Sequence, residues 1–176
     1  ANASLDDKMS KYLSYWTTDE TDPRSRATLR HFLTMTSGMV TDGTDRAVAL
    51  NNSDAKARVA HSKVGYGAFL GCSLVPGATH SACARALYDA SPALYAPGDY
   101  FMYGTLTFNY VAAAMEVAHG KPIDELLEAH FLRPLKMTGP WSSRVSDAEP
   151  AALATTKVPL LGGGLAATTT EMDGFM

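Results

Sequence analysis

Apolar residues are most concentrated between two turn signals, Pro97-Gly98 and Gly120. Proline fixes φ and glycine tolerates a positive φ, so both positions favour breaks in regular structure. Between them, the run from Leu106 to Val117 has few polar interruptions, and a helix that is apolar on most sides is typical of a core. The pattern therefore predicts a buried helix that ends at Gly120.

A second helix is predicted immediately after the first one. Pro122 suits the first turn of a helix, and Pro134 ends the periodic pattern. Between the two prolines, apolar residues recur at helical spacing, at Ile123, Leu126, Leu127, Phe131 and Leu132.

Shorter helices are predicted in the first half of the chain. Ser4 followed by Asp7 fits a capping box and predicts a helix through about Tyr15. Thr28 is placed to cap the next helix. A further helix is predicted from Thr79 to Tyr88.

Two other stretches lack helical periodicity. Val64 to Ser73 contains three glycines among apolar residues and predicts a loop. Lys157 to Leu161 predicts a short edge strand, and the glycines at 162–164 allow a close approach of neighbouring backbone. Thr168 with Glu171 then predicts the capping box of a further helix.

Composition excludes several function classes. The 176 residues are 46% hydrophobic and 19% charged, which indicates one globular domain. A net charge of −3 gives no basic face for nucleic acid. The apolar runs are far shorter than the ~20 residues that a membrane span needs. The five histidines lack metal-ligand spacing, so we expect no metal and no cofactor.

The two cysteines, Cys72 and Cys83, flank a turn-rich segment. They are either small buried hydrophobes or partners in a local disulfide, and we expect them to lie close enough to be joined. Asn2 and Asn51 each begin an N-glycosylation pattern. A disulfide and glycosylation sites together favour a secreted or extracytoplasmic protein.

Several segments carry a family resemblance. The longest is PGDYFMYGTLTFNYVAAAMEVAHGKPIDELLEAHFLRPLKMTG, and SLDDKMSKYL, ATLRHFLTMTSGM and GGGLAATTTEMDGFM agree as well. In this order they resemble the serine β-lactamase-like family, which includes class C β-lactamases, penicillin-binding DD-peptidases and related esterases. The resemblance implies an α+β fold, a helical lobe against an antiparallel sheet. Residues 1–176 would form the lobe, with little sheet.

The resemblance also implies that parts of the family's active site lie elsewhere. The family's Ser-x-x-Lys, with nucleophile and activating lysine, should precede SLDDKMSKYL, and its Lys/His-Thr-Gly strand should follow GGGL well beyond Met176. Ser53 to Lys56 spells Ser-x-x-Lys, but it sits in a polar stretch that looks solvated. We therefore expect a fragment that is inactive alone, whose missing parts come from elsewhere in the protein or from other chains.

The candidate site residues follow from the matched motifs. Tyr103 corresponds to the family's tyrosine, which lies beside the nucleophile and exchanges protons with the nucleophile and with the leaving group. Thr105 stands where the family has asparagine, and a hydroxyl reaches less far than an amide. Gly163 and Gly164 correspond to a glycine segment that borders the substrate cleft. We expect the Tyr103 hydroxyl to face a cleft shared with residues 162–164.

Two functions are compatible with these motifs. One is a serine hydrolase that attacks an ester, amide or β-lactam carbonyl of a small molecule or peptide through an acyl-enzyme. The alternative is a non-catalytic relative that serves as a structural or accessory subunit of a larger assembly. A Ser-x-x-Lys segment elsewhere in the protein would favour the first.

Overall fold

The computed structural model of the protein describes residues 3–39, 65, 67–138, 158, 161, 162, 165, 167, 168 and 171. Two 3₁₀ helices, Met9–Lys11 and Pro23–Arg26, precede the first α-helix. The α-helices are α1 (Leu29–Leu33), α2 (67–73), α3 (His80–Ala90), α4 (Thr107–His119) and α5 (Ile123–Leu127), which continues as a π-helix over Glu128–Leu132.

The described residues are mainly helical, as the sequence predicts. Antiparallel pairing among them is confined to isolated bridges, such as those of Lys8 with Thr28 and of Met39 with Ala93. Of the predicted edge strand, Val158 and Leu161 are described, at a bend and in a turn, and the rest lies outside the described residues. No helix in the described ranges is long and apolar enough to cross a bilayer.

Helix α4 forms the centre of the core, and α1 and α3 pack against it. It runs between the two predicted turns and ends at Gly120, whose φ of 65° is left-handed and whose N–H donates to the Glu116 carbonyl at 2.8 Å. Glycine takes this conformation without a Cβ clash. The prediction of a buried helix ending at Gly120 is therefore confirmed.

Aromatic rings fix the position of α4 in this core. Tyr110 is fully buried, and its ring meets Trp16 edge-on at 5.2 Å and Phe32 at 5.2 Å. Tyr88 of α3 adds a ring 4.7 Å from Trp16. Full burial of such a side chain contributes about 1.5–3 kcal/mol. One aromatic cluster thus holds together α1, α3, α4 and the segment that contains Trp16.

The N-terminal segment is not the predicted α-helix through Tyr15. Lys8 is extended, at φ −65° and ψ 144°, because it bridges to Thr28 while the Met9 N–H donates to the Ala27 carbonyl at 2.9 Å. With Lys8 and the Met9 N–H paired to this distant segment, only the short 3₁₀ helix Met9–Lys11 forms in place of the α-helix. The capping interaction survives in part, since the Ser4 N–H donates to the Asp7 carboxylate at 2.8 Å.

The prediction of a loop from Val64 to Ser73 is also wrong, because residues 67–73 form α2. Glycine inside a helix costs about 1 kcal/mol relative to alanine. Gly67 and Gly71 face open space, whereas Phe69 between them is fully buried. Burial of Phe69 and attachment to α3 offset the low helix propensity.

A disulfide between Cys72 and Cys83 joins α2 to α3, with 5.3 Å between the two Cα atoms. The turn between the helices contains Gly77 at φ 77°, and the Ala78 N–H donates to the Val75 carbonyl at 3.0 Å. The expectation that the two cysteines lie close enough to be joined is confirmed.

Removing the disulfide is expected to lower the free energy of unfolding by about 2–4 kcal/mol, because the bond closes a short loop in the unfolded chain. Replacement of Cys72 and Cys83 together by serine should show this loss in urea denaturation. Mass spectrometry before and after reduction provides the control, and two thiols that alkylate freely without reductant would contradict the bond.

The predicted capping box near the C-terminal end is present. The Thr168 N–H donates to the Glu171 carboxylate at 2.7 Å, and the Glu171 N–H donates back to the Thr168 hydroxyl at 3.3 Å. The same carboxylate also accepts from the N–H and the hydroxyl of Thr138. These hydrogen bonds lower the Glu171 pKa to about 2. The hydrogen bonds of Thr138 to Glu171 join the chain after the π-helix to the C-terminal segment.

Candidate functional site

The segment that carries Tyr103 is held by the loop after α1. Gly38 in this loop has a φ of 76° and lies against the Tyr95 backbone. Three backbone hydrogen bonds of 2.7–2.9 Å join the two segments: Leu94 N–H to Gly38 O, Gly98 N–H to Thr36 O, and Met102 N–H to Met35 O. The backbone position of the segment that leads to Tyr103 is therefore fixed by hydrogen bonds to residues 35–38.

Tyr103 lies at the surface just before α4. Its side chain is 46% exposed, and Tyr100 and Phe101 beside it are 56% and 61% exposed. Met102, in contrast, is buried and anchors the segment. The phenol is therefore accessible on a rigidly attached stretch of backbone, while its catalytic role stays a prediction.

Thr105 is in direct contact with the glycine-rich segment. A Cβ added to Gly162 would lie 2.6 Å from the Thr105 Cβ and 2.7 Å from its carbonyl carbon, closer than real side chains approach. Glycine at 162 thus permits an approach that no other residue would permit. Gly163 and Gly164, the predicted substrate-binding glycines, lie outside the described residues, as does Ser53 to Lys56.

A buried amide connects the elements around this contact. Asn109 of α4 is completely buried. Its Oδ1 lies 2.9 Å from His80 Nε2 and accepts from the Leu161 N–H at 3.4 Å, while its Nδ2 donates to the Leu106 carbonyl at 3.2 Å. Because Oδ1 is the acceptor here, His80 carries its proton on Nε2.

Sequence reasoning missed this network. In the sequence, Asn109 belongs to the apolar run that predicts α4, and His80 is one of the histidines that lack metal-ligand spacing. One signal was available in the sequence, because a lone amide inside an apolar helix must find hydrogen-bond partners when buried. The identity of those partners, His80 and Leu161, depends on the tertiary structure.

His80 is neutral at physiological pH. Burial lowers its pKa to about 4 from the ordinary 6.5, and the hydrogen bond with Asn109 opposes this only in part. Nδ1 has no hydrogen-bond partner within the described structure. A protonated imidazole at this position would place a charge in the core.

The lowered pKa predicts a pH dependence of stability. Between pH 6.5 and 4, His80 is protonated in the unfolded chain but stays neutral in the folded protein. Its contribution to stability is therefore fully present above about pH 6.5 and declines as the pH falls towards 4. The total loss is roughly 3 kcal/mol. Urea denaturation between pH 7 and 5 should show about two thirds of this loss, and His80→Gln should flatten the profile.

The exposed His130 offers a matched control for this experiment. His130→Gln makes the same substitution at the surface, where no buried hydrogen bond is lost, and should keep the wild-type profile. A His80→Gln variant that keeps the full slope between pH 7 and 5 would contradict the assignment.

A cavity of about 560 Å³ lies at the other end of α4, between the start of α3 and the start of α5. Glu116 crosses it and accepts from the Ser81 N–H at 3.2 Å and from the Ile123 N–H at 3.0 Å. Burial raises the Glu116 pKa. The described residues contain no cluster of His, Cys, Asp and Glu suited to hold a metal ion.

In this mainly helical lobe the turn at residues 103–106, here called the Tyr103 turn, contacts the glycine-rich segment at Gly162. This arrangement fits the class of β-lactamase/transpeptidase-like proteins. A model of the family described as "Beta-lactamase" matches residues 2–176. The chain belongs to the β-lactamase family.

Solved structures support the same fold. Similar chains are a candidate β-lactamase from Bacteroides dorei (25% identity, TM-score 0.59), a D-stereospecific amidohydrolase from Streptomyces (20%, 0.61) and EstCE1, a hydrolase with promiscuous acyltransferase activity (19%, 0.64). They match 98%, 98% and 97% of this chain, which spans 41%, 52% and 50% of their respective lengths. No curated protein matches the chain in sequence.

Proposed function

We propose that this chain is the central part of a serine hydrolase that acts on an ester, amide or β-lactam carbonyl through an acyl-enzyme. The observation that supports it most is the contact of Thr105 with Gly162, because it places the Tyr103 turn beside the glycine-rich segment. Similarity to an amidohydrolase and to EstCE1 favours acyl transfer as the reaction class. The chain spans about half of those structures, so the nucleophile is assigned to sequence outside the 176 residues.

In this proposal each step uses a defined group. The serine oxygen of a Ser-x-x-Lys segment bonds to the substrate carbonyl carbon, and the bond to the leaving group breaks. The serine proton passes by way of Tyr103 to the leaving group. Water then cleaves the acyl-enzyme and restores the serine. Substrate binding is assigned in this proposal to Gly163 and Gly164, as the family motif predicts.

Thr105 narrows the proposed substrate range. A family asparagine can donate to a substrate carbonyl and accept from lysine at once, whereas a threonine hydroxyl is shorter. Thr105 is also packed against Gly162, which restricts its movement. We therefore favour esters and simple amides over β-lactams as substrates.

The same threonine favours a second candidate, a non-catalytic accessory subunit. A protein under no selection for catalysis can lose the asparagine while the fold is maintained. In that case the described lobe would serve assembly with other chains.

An extracytoplasmic location is part of the proposal. Structural disulfides persist mainly in oxidising compartments, and Cys72–Cys83 is such a bond. The two glycosylation patterns, at Asn2 and Asn51, lie outside the described residues.

Labelling of the full-length protein with a fluorophosphonate probe tests the function. We expect one serine to be labelled, in a Ser-x-x-Lys segment, together with hydrolysis of p-nitrophenyl esters. The labelled peptide should be identified by mass spectrometry, because labelling at Ser53 would place the nucleophile inside this chain instead. A folded protein that is neither labelled nor active would favour the accessory subunit.

A further inference from the structure

Three separate parts of the chain meet at the side chain of Asn109. His80 begins α3, Leu106 precedes α4, and Leu161 belongs to the glycine-rich segment. The Asn109 amide hydrogen-bonds to all three, with distances of 2.9, 3.2 and 3.4 Å in that order. Asn109 is completely buried, so water cannot substitute for these partners.

The hydrogen bond to Leu161 links Asn109 to the candidate site through Gly162 and Thr105. Leu161 is followed by Gly162, which packs directly on Thr105, and Thr105 is two residues from Tyr103. The Asn109 carbonyl therefore holds the backbone of the glycine-rich segment at the point where this segment meets the Tyr103 turn.

We propose that Asn109 is a positioning residue: its amide fixes the Leu161–Gly162 backbone against Thr105 and so sets the spacing between the Tyr103 turn and the glycine-rich segment. The inference rests on the proposed hydrolase function. Asn109 itself touches no substrate in this scheme and acts through Leu161 and Gly162.

The chemistry of the amide suits this role. Oδ1 accepts hydrogen bonds from His80 Nε2–H and from the Leu161 N–H, and Nδ2 donates to the Leu106 carbonyl. Each donor therefore meets an acceptor. The Leu106 carbonyl also accepts the Asn109 backbone N–H at 3.0 Å. Because both the oxygen and the nitrogen of the buried amide have partners, the amide favours one arrangement of the parts that it joins.

Other contacts keep the glycine-rich segment attached when the amide is lost. Val158 is buried in the main core, and Leu161 packs against a second cluster formed by Ala112, Ile123 and Leu126. Loss of the Asn109 carbonyl should therefore shift the Leu161–Gly162 backbone without releasing the segment. Positioning and attachment are thus separable by mutation.

Asn109→Leu in the full-length protein tests the proposal, since leucine has a similar volume and makes no hydrogen bond. We expect kcat for p-nitrophenyl ester hydrolysis to fall about 10- to 100-fold, the usual result of a misplacement near 1 Å, with KM changed less than about threefold. Hydrogen–deuterium exchange at residues 161 and 162 should become faster.

Gly162→Ala and His80→Gln extend the test. Gly162→Ala disturbs the same contact from the other side through its clash with Thr105 and should give the same loss of kcat. His80→Gln keeps an N–H that reaches Oδ1 and should retain wild-type kcat.

The control is Ala113→Gly, at a buried position of α4 that lacks a polar side chain. This substitution should lower stability by about 1 kcal/mol. It should leave kcat and the hydrogen–deuterium exchange at residues 161 and 162 unchanged.

The outcomes separate this inference from the function on which it rests. If Tyr103→Phe slows an active wild type while Asn109→Leu does not, the positioning role is wrong and the hydrolase function stands. If Ala113→Gly lowers kcat as much as Asn109→Leu, the effect is one of stability and the role is also wrong. A wild type that neither hydrolyses esters nor reacts with the fluorophosphonate overturns both.

Discussion

Replacing Gly38 with alanine is expected to lower the free energy of unfolding by about 2–5 kcal/mol. Two costs add at this position. The φ of 76° is left-handed, which costs an ordinary residue about 1–2 kcal/mol. A Cβ would in addition lie 2.9 Å from the Tyr95 carbonyl carbon and closer still to its oxygen, and such overpacking costs about 1–3 kcal/mol.

Denaturant unfolding of the Gly38→Ala protein measures this loss. Gly71→Ala is the matched control, because Gly71 is helical, exposed and has nothing within 4 Å of an added Cβ. Alanine there should stabilise α2 by up to about 1 kcal/mol. Equal stability of the two variants would contradict the close packing of Gly38 on Tyr95. Because Tyr95 precedes the site, we also expect Gly38→Ala to reduce the proposed ester hydrolysis.

The Tyr103→Phe variant of the full-length protein is expected to hydrolyse activated esters about 10²–10⁴-fold more slowly, the usual contribution of a positioned proton-transfer group. The loss should fall on kcat, because in the proposed mechanism the hydroxyl transfers the proton from the serine to the leaving group. Folding should change little, because the side chain is 46% exposed and only one hydroxyl is removed. Steady-state kinetics and circular dichroism measure the two effects.

Tyr100→Phe is the matched control for this variant. Tyr100 is also exposed and lies three residues earlier, and its ring packs on Tyr95 at 4.6 Å. Loss of its hydroxyl should leave ester hydrolysis unchanged. If Tyr103→Phe retains wild-type kcat in a protein whose Ser-x-x-Lys serine is labelled, Tyr103 has no role in proton transfer.

Elements with strong local signals were predicted correctly from the sequence. Helix α4 is bounded by Gly120, and α3 by the Thr79 side chain, which accepts from the Ala82 N–H at 3.2 Å. In both cases the start or stop signal and the apolar pattern lie within a few residues of each other. Local hydrogen bonding and propensity then suffice to define the element.

Elements with conflicting local signals were predicted wrongly. Residues 67–73 contain glycines and form a helix, because Phe69 is buried and Cys72 is bonded to α3. The segment after Ser4 has a capping pattern and is not an α-helix, because Lys8 pairs with Thr28 and the Met9 N–H donates to Ala27. In each case a contact with a distant segment outweighs the local preference.

The sequence by itself determined the family, the central helix and the candidate tyrosine, since these follow from motifs and periodicity that are contiguous in the chain. The tertiary structure alone decided which groups meet around Asn109 and why residue 162 is glycine. Hydrogen-bond partners such as His80 and Leu161 lie 29 and 52 residues away from Asn109. No local pattern encodes such pairings, because they arise only when the packed core brings the elements together.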